Sequence, residues 1–274
     1  MSVDPVYLQT AVEIALRAGE MQIARQGGDL HVAKKGVIDL VTQVDVDVEM
    51  LGRAILSERF PTHTILAEEL PSTPADRDTD TRYCWIFDPI DGTVNYAHGI
   101  PLFCTSLALE IEGQVEVGVV YDPSRRELFV AERGDGARLN GAPIQVSTST
   151  DLIDALLCTG FPYDVHTRID EVVGLFGEFV RQARAVRRLG SAALDLCYVA
   201  AGRFDGFWER GLQAWDSAAA ALIVEEAGGR VTGMDGQVFA SHDGHIVASN
   251  GPLHDTLLSV IREFDERRAR NRTD

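Results

Sequence analysis

The apolar positions near the amino terminus recur with a helical period. Leu8, Ala11, Val12, Ala15, Leu16 and Gly19 fall at i, i+3, i+4, i+7, i+8 and i+11, which predicts an amphipathic opening helix with a narrow face of small residues. A second helical pattern covers 44–60 and is ended by Pro61. The pattern then shortens. Thr64–Ala67 reads as a short strand leading into Glu68-Glu69, and Arg82–Phe87 as a strand that stops abruptly at Asp88. A polar, proline-containing loop, 70–82, lies between them. Segments 105–111 and 115–121 predict a hairpin through Glu112-Gly113-Gln114, and 127–131 and 137–139 continue the meander.

Composition shifts mildly at 147–151 (STSTD), the best candidate for a sub-domain boundary. Beyond it the pattern predicts a strand at 155–158, a helix at 168–184, a strand at 185–188 and a helix from Ser191 to Ala201. A strand at 204–209 and a helix at 214–228, ended by Gly228-Gly229, follow. A strand at 245–249 and a last helix at 253–267 complete the order. Helices, then a run of strands, then an irregular alternation predict a layered α+β or α/β fold with extensive sheet, and exclude a (β/α)₈ barrel.

Charge narrows the partners. Among 274 residues, 25 Lys and Arg stand against 42 Asp and Glu, a net charge of −17. Phosphate-backbone affinity needs clustered cations, so no nucleic-acid partner is expected, and no anionic membrane surface either. An anionic small substrate stays open, provided a bound divalent metal reverses the local sign. Cys84, Cys104, Cys158 and Cys197 form no CxxC pair and sit in apolar runs, so buried reduced thiols in a cytoplasmic protein are expected. The first residues carry acids and no basic leader. The longest apolar run, Ala218–Val224, is far short of the roughly 20 residues that a membrane helix needs.

The candidate chemistry lies in acids at the ends of apolar segments. Residues 83–96 read YCWIFDPIDGTVNY. A strand end followed by an Asp-Gly turn explains one aspartate; it leaves the Asp88/Asp91 pair, with Pro89 stiffening the turn, without a counter-charge. Asp39 and Asp45 in DLVTQVD, Glu68 and Glu69, and Asp216 in AWDSAAAALIVEEAGG are similarly placed. Singly, each has an ordinary reading as a surface acid or a first-turn helix acid. Jointly, oxygen donors without a nearby His or Cys suit a hard cation, Mg²⁺ or Mn²⁺, over zinc. Gly92-Thr93 opens a short helical or turn segment whose N–H groups suit phosphate oxygens. His31, His63, His98, His166, His242, His245 and His254 are scattered and read as surface or turn residues, and ERRARNR at 266–272 reads as a frayed helix end.

DPIDGTVNY followed by WDSAAAALIVEEAGG is similar to the paired signatures of the inositol monophosphatase family of Mg²⁺-dependent, lithium-sensitive phosphatases, with Tyr96 where Phe is commoner. DLVTQVD at 39–45, AEE at 67–69 and RRLGSAALDLCYVAAGRFDGFWE at 187–209 extend the resemblance nearly end to end. It implies an αβαβα sandwich, a single domain over 1–274 with a metal-site half, 1–147, and a substrate-pocket half, 148–274, and usually a homodimer. It implies two or three Mg²⁺ ions held by Glu68, Asp88, the Ile90 carbonyl, Asp91 and Asp216. Thr93 with Asp45, and Glu68 nearby, would orient and deprotonate the attacking water. The N–H groups of Gly92 and Thr93 would hold the phosphate, Gly190, Ala192 and Glu209 would contact the polyol, and Lys35 would approach the phosphate. The expected substrate is myo-inositol-1-phosphate or a similar small polyol phosphate. Histidinol phosphate, fructose 1,6-bisphosphate and adenosine 3′,5′-bisphosphate are the alternatives on the same fold, and a non-catalytic metal-binding regulator is a third class. GFPYD at 160–164 and Glu209 resemble the inositol monophosphatase branch, with Gly160 a departure that points to relaxed selectivity.

Overall fold

The computed structural model describes residues 4–28, 30–70 and 80–271. The opening helix, α1 (Pro5–Arg25), starts with proline at its first position and Asp4 capping the Val6 N–H. A two-stranded ribbon, β1 (Ala33–Lys34) and β2 (Leu40–Val41), leads to α2 (Gln43–Arg59), whose cap is Thr42. Seven strands then make one sheet in chain order: β3 (His63–Ala67), β4 (Asp80–Asp91), β5 (Cys104–Ile111), β6 (Gln114–Asp122), β7 (Glu127–Glu132), β8 (Gly136–Leu139) and β9 (Ala142–Pro143). A short helix, α3 (Thr93–Ala97), interrupts them after β4.

The second half alternates: β10 (Leu156–Thr159), α4 (Ile169–Gln182), β11 (Ala185–Arg187), α5 (Ala192–Ala200), β12 (Gly206–Arg210), α6 (Ala214–Glu226), β13 (Arg230–Thr232), β14 (His245–Ser249) and α7 (His254–Asn271). Its strands form a five-stranded mixed sheet of order β11-β10-β12-β14-β13.

Strand alternation explains why these elements stack in layers. On β4, Trp85 and Phe87 face one side and join Ala11, Ile14, Val48 and Leu56 of α1 and α2. Ile86, between them, faces the other side and joins α5 and α6. In the second sheet Cys158, Phe207, Ile246 and Ala248 face α5 and α6, while Leu157, Trp208 and Val247 face α4 and α7. Three apolar clusters fill the four interfaces between five layers, helices–sheet–helices–sheet–helices, the first of them spanning both faces of the middle layer. The middle layer is narrow because its side chains are small: Ala218, Ala219, Ala220 and Ala221 on α6 meet Cys104, Ala108 and Ala131 on the first sheet. None of the described helices is long and apolar enough to cross a membrane.

Several expectations need correction. The strand expected at 82–87 runs on to Asp91, through a register shift between Asp88 and Asp91 that absorbs the proline. Of the expected loop 70–82, residues 71–79 lie outside the described residues, and Asp80 already belongs to β4. β13, β9 and the β1–β2 ribbon are too short for a period to show. His254 is not a surface residue: it is buried, its ring nitrogens within hydrogen-bonding distance of Ser249 Oγ (3.0 Å) and Thr232 Oγ1 (2.9 Å). Burial pushes its pKa down to about 4, so it is neutral. The basic tail is not frayed as far as it is described: α7 continues to Asn271, with Arg267 and Arg268 paired to Glu178 and Glu171.

Candidate active site

Three helix amino termini and one strand end converge. The strand end is β4, where the irregularity between Asp88 and Asp91 turns both side chains to one place. One oxygen from each of Asp88, Asp91 and Asp216 lies within 4.8 Å of the others. Asp216 comes from the first turn of α6, where its Oδ2 accepts the Gln213 N–H at 2.6 Å. Asp91 sits over the start of α5. Its Oδ2 accepts from Ser191 Oγ (2.6 Å) and the Ala193 N–H (2.7 Å), and its Oδ1 from the Ala192 N–H (3.3 Å). Asp45 closes the cap of α2: its Oδ2 accepts the Thr42 N–H at 2.9 Å, and its Oδ1 lies 3.0 Å from Thr93 Oγ1. The partial positive charge of each helix terminus offsets part of the acid's charge.

That offset is incomplete. Among the described residues no basic side chain pairs with Asp88, Asp91 or Asp216, and Asp88 Oδ1 is buried without a hydrogen-bond partner. Burial, then Glu68, Asp91 and Asp216, pushes the Asp88 carboxyl far above the usual range. Burial and Asp91 do the same to Asp216, and burial raises Asp91 despite its donors. An all-oxygen donor set with an orphaned carboxylate oxygen fits a hard divalent cation.

Glu68 stands beside this trio, at the end of β3. Its Oε1 is 2.8 Å from Lys35 Nζ, and the same ammonium is 2.6 Å from Glu69 Oε1. Burial works against the Lys35 charge, but the two glutamates outweigh it and hold the pKa up. Glu49 of α2, buried, accepts the Glu69 N–H at 2.6 Å and the Leu70 N–H at 3.1 Å, and so fixes the chain that carries Glu68. Thr93 Oγ1 also lies 2.8 Å from the Ile90 carbonyl, its other acceptor.

A cavity of about 90 Å³ opens from Asp91, Gly92, Thr93 and Asp216 toward Gly160, Gly190, Ala192, Asp195 and Glu209. Gly92 and Gly190 both have left-handed φ, +95° and +93°, and a Cβ on Gly92 would sit 3.3 Å from the Gly190 carbonyl oxygen and 2.9 Å from that of Leu102. Only glycine allows that approach. Gly160 has a different reason: a Cβ there would lie 2.0 Å from Glu209 Oε2, so the glycine makes room for the carboxylate. Burial raises Glu209 to about 8.

The structure thus brings Asp45, Glu68, Asp88, Ile90, Asp91, Gly92, Thr93 and Asp216 to one end of the site, and Gly190, Ala192 and Glu209 to the cavity beyond. Lys35 is engaged with the two glutamates, and the Ala192 N–H is directed at Asp91. Sequence reasoning missed Glu49, Ser191 and Asp195. Asp195 left a signal: it is the one charged residue in the wholly buried α5, and neither of its oxygens has a partner.

Two mixed sheets interleaved with helices, with acids gathered where the layers meet, define the class. The chain belongs to the inositol monophosphatase family, whose model matches residues 4–266. It is 42% identical to the Nus factor SuhB of Pseudomonas aeruginosa over 268 residues, covering 93% of this chain and 97% of that protein. It is 43% identical to the inositol-1-monophosphatase of Synechocystis over 256 residues, covering 93% of this chain and 88% of that protein. The crystal structure of the extragenic suppressor protein suhB from Bartonella henselae superposes with a TM-score of 0.87 at 38% identity, covering 93% of this chain and 98% of that one.

Proposed function

We propose that the protein is a divalent-metal-dependent phosphate monoester hydrolase acting on myo-inositol-1-phosphate or a similar small polyol phosphate. The observation that carries this reading is the uncompensated Asp88–Asp91–Asp216 cluster beside the Thr93–Asp45 pair, at the mouth of a cavity walled by Glu209. Glu68, Asp88, the Ile90 carbonyl, Asp91 and Asp216 would hold the cations, two or three Mg²⁺ with Mn²⁺ as a substitute. When bound, such cations offset the charge of a phosphate dianion and lower the pKa of a coordinated water.

The chain's own residues do the rest. Thr93 has one hydroxyl hydrogen, shared between Asp45 and the Ile90 carbonyl, and its oxygen lone pairs are free to accept a hydrogen bond from a water and so orient it. As the water gives its proton to Thr93 Oγ1, the Thr93 hydrogen passes to Asp45, whose carboxyl burial holds above the usual range. The N–H groups of Gly92 and Thr93 receive phosphate oxygens, and Glu209 accepts hydrogen bonds from the polyol. A protein with net charge −17 binds a dianion because its acids recruit cations first.

Phosphate release from inositol-1-phosphate with Mg²⁺, with and without chelator, tests the reaction. Relative kcat/KM on histidinol phosphate and on the two bisphosphates tests the substrate. Activity absent under all conditions would leave the regulatory reading, which the likeness to a protein named Nus factor favours. We also propose a cytoplasmic homodimer, supported by the family and by four unpaired cysteines, and tested by light scattering.

A further inference from the structure

Gln22 lies on α1, outside every motif, and is fully buried. Its side-chain amide nitrogen is 2.8 Å from the Pro89 carbonyl oxygen. A carbonyl only accepts, so the group facing it is the NH₂, and the orientation of the amide follows from chemistry. The same NH₂ donates to Thr105 Oγ1 at 2.8 Å, and Thr105 donates in turn to the Pro89 carbonyl at 3.0 Å. The Pro89 oxygen therefore receives two hydrogens. The backbone carbonyl of Gln22 accepts the Tyr96 hydroxyl at 2.8 Å. One residue of α1 thus grips the chain on both sides of Asp91 and Thr93.

The amide is retained at a cost. Among the described residues Gln22 Oε1 is buried without a partner, a desolvation penalty that leucine or methionine at this place would avoid. Packing alone does not ask for glutamine. The peptide that it holds is the one that needs holding: Pro89 has no N–H to give the sheet, and the β4–β5 register slips between Asp88 and Asp91. Rotation of the Pro89–Ile90 peptide would swing the Pro89 carbonyl and loosen the turn that sets Asp88 and Asp91 relative to each other.

We propose that Gln22 is a positioning residue for the carboxylate cluster, clamping the Pro89 carbonyl, with Thr105, so that Asp88, the Ile90 carbonyl and Asp91 face one cation. This rests on the reading that the cluster binds divalent metal. Groups that orient ligands from behind typically change metal affinity by about 10–100-fold when removed.

The test is Mn²⁺ binding to the substrate-free protein, by calorimetry or electron paramagnetic resonance, with thermal unfolding in chelator alongside. Gln22→Leu and Thr105→Val should each weaken Mn²⁺ at least about tenfold. The double variant should weaken it by less than the product, because both donors hold one oxygen. Ile14→Val, in the same helix and fully buried, should lower stability and leave Mn²⁺ affinity unchanged. Should Gln22→Leu not fold, Thr105→Val decides. Mn²⁺ binding equal to wild type in both variants, or equal weakening by Ile14→Val, overturns the clamp alone. A wild-type protein that binds no Mn²⁺ overturns the metal reading and the clamp with it.

Discussion

Two charged clusters in this molecule have opposite fates. Around Glu171 on α4, acids meet arginines. Glu171 Oε1 is 2.6 Å from Arg168 and 2.8 Å from Arg210, its Oε2 is 3.2 Å from Arg268, and Arg210 also meets Asp265 at 2.7 Å. Burial alone would raise the Glu171 carboxyl; Arg168 and Arg210 overcome it and bring the pKa down to about 2. Around Asp88 no base answers, and the carboxyls are pushed up. The balanced cluster borders the larger cavity, about 930 Å³, and the unbalanced one borders a cavity of about 90 Å³. Uncompensated charge, not room, distinguishes the proposed metal site from the balanced cluster. The arginine network ties α4, β12 and α7 together.

The contrast can be broken from either side. The largest effect is expected at Asp88. Asp88→Asn should lower kcat/KM about a thousandfold, the loss of several kcal/mol of charge stabilisation, while metal-free thermal stability rises because repulsion is relieved. Asp216→Asn should lose activity similarly, and either variant retaining wild-type phosphate release would sink the site. Thr93→Ala should lower kcat about a hundredfold and change KM much less, read from steady-state kinetics across substrate concentration. On the balanced side, Glu171→Ala should cost about 2 kcal/mol in urea unfolding and leave kcat/KM per folded molecule unchanged.

The smallest effect sharpens the comparison through pH. An unfolded glutamate ionises near 4.3, whereas Glu209 in the fold keeps its proton to about 8. Between those values the native state binds more protons than the unfolded chain, so stability falls as pH rises through the window. The lowered Glu171 has the opposite sign: it stabilises above its unfolded pKa and loses that contribution only in acid, as pH falls toward 2. Melting temperature in chelator, scanned from pH 5 to pH 8 and repeated for Glu209→Gln, separates the two; a flat profile in both proteins would contradict the assignment.

What was legible in the sequence was local. The Asp88–Thr93 turn, the helix opening at Asp216 and the α2 start at Asp45 announce themselves because caps and turns involve neighbours a few positions apart. The run Trp85-Ile86-Phe87 is legible as a strand, but not that its alternate residues face different layers; the layer order comes with the family likeness. Glu49, Ser191 and Gln22 were illegible because their partners are distant: Glu69, Asp91 and Pro89 are 20, 100 and 67 positions away. His254 is misleading for the same reason, since one of its partners, Thr232, is 22 positions away. Asp195 is a readable anomaly, an acid in an apolar helix.

The meeting of Asp88, Asp91 and Asp216 has a consequence for how the chain holds together. The four cysteines form no disulfide, so no covalent cross-link joins the first sheet to the segment that begins α6. An ion seated among those three side chains would close a very long loop, as a disulfide does, but reversibly and at the concentration of free cation. The polymer would then be cross-linked only while it is loaded, and the loaded protein would resist unfolding and proteolysis in proportion to the logarithm of the metal supplied.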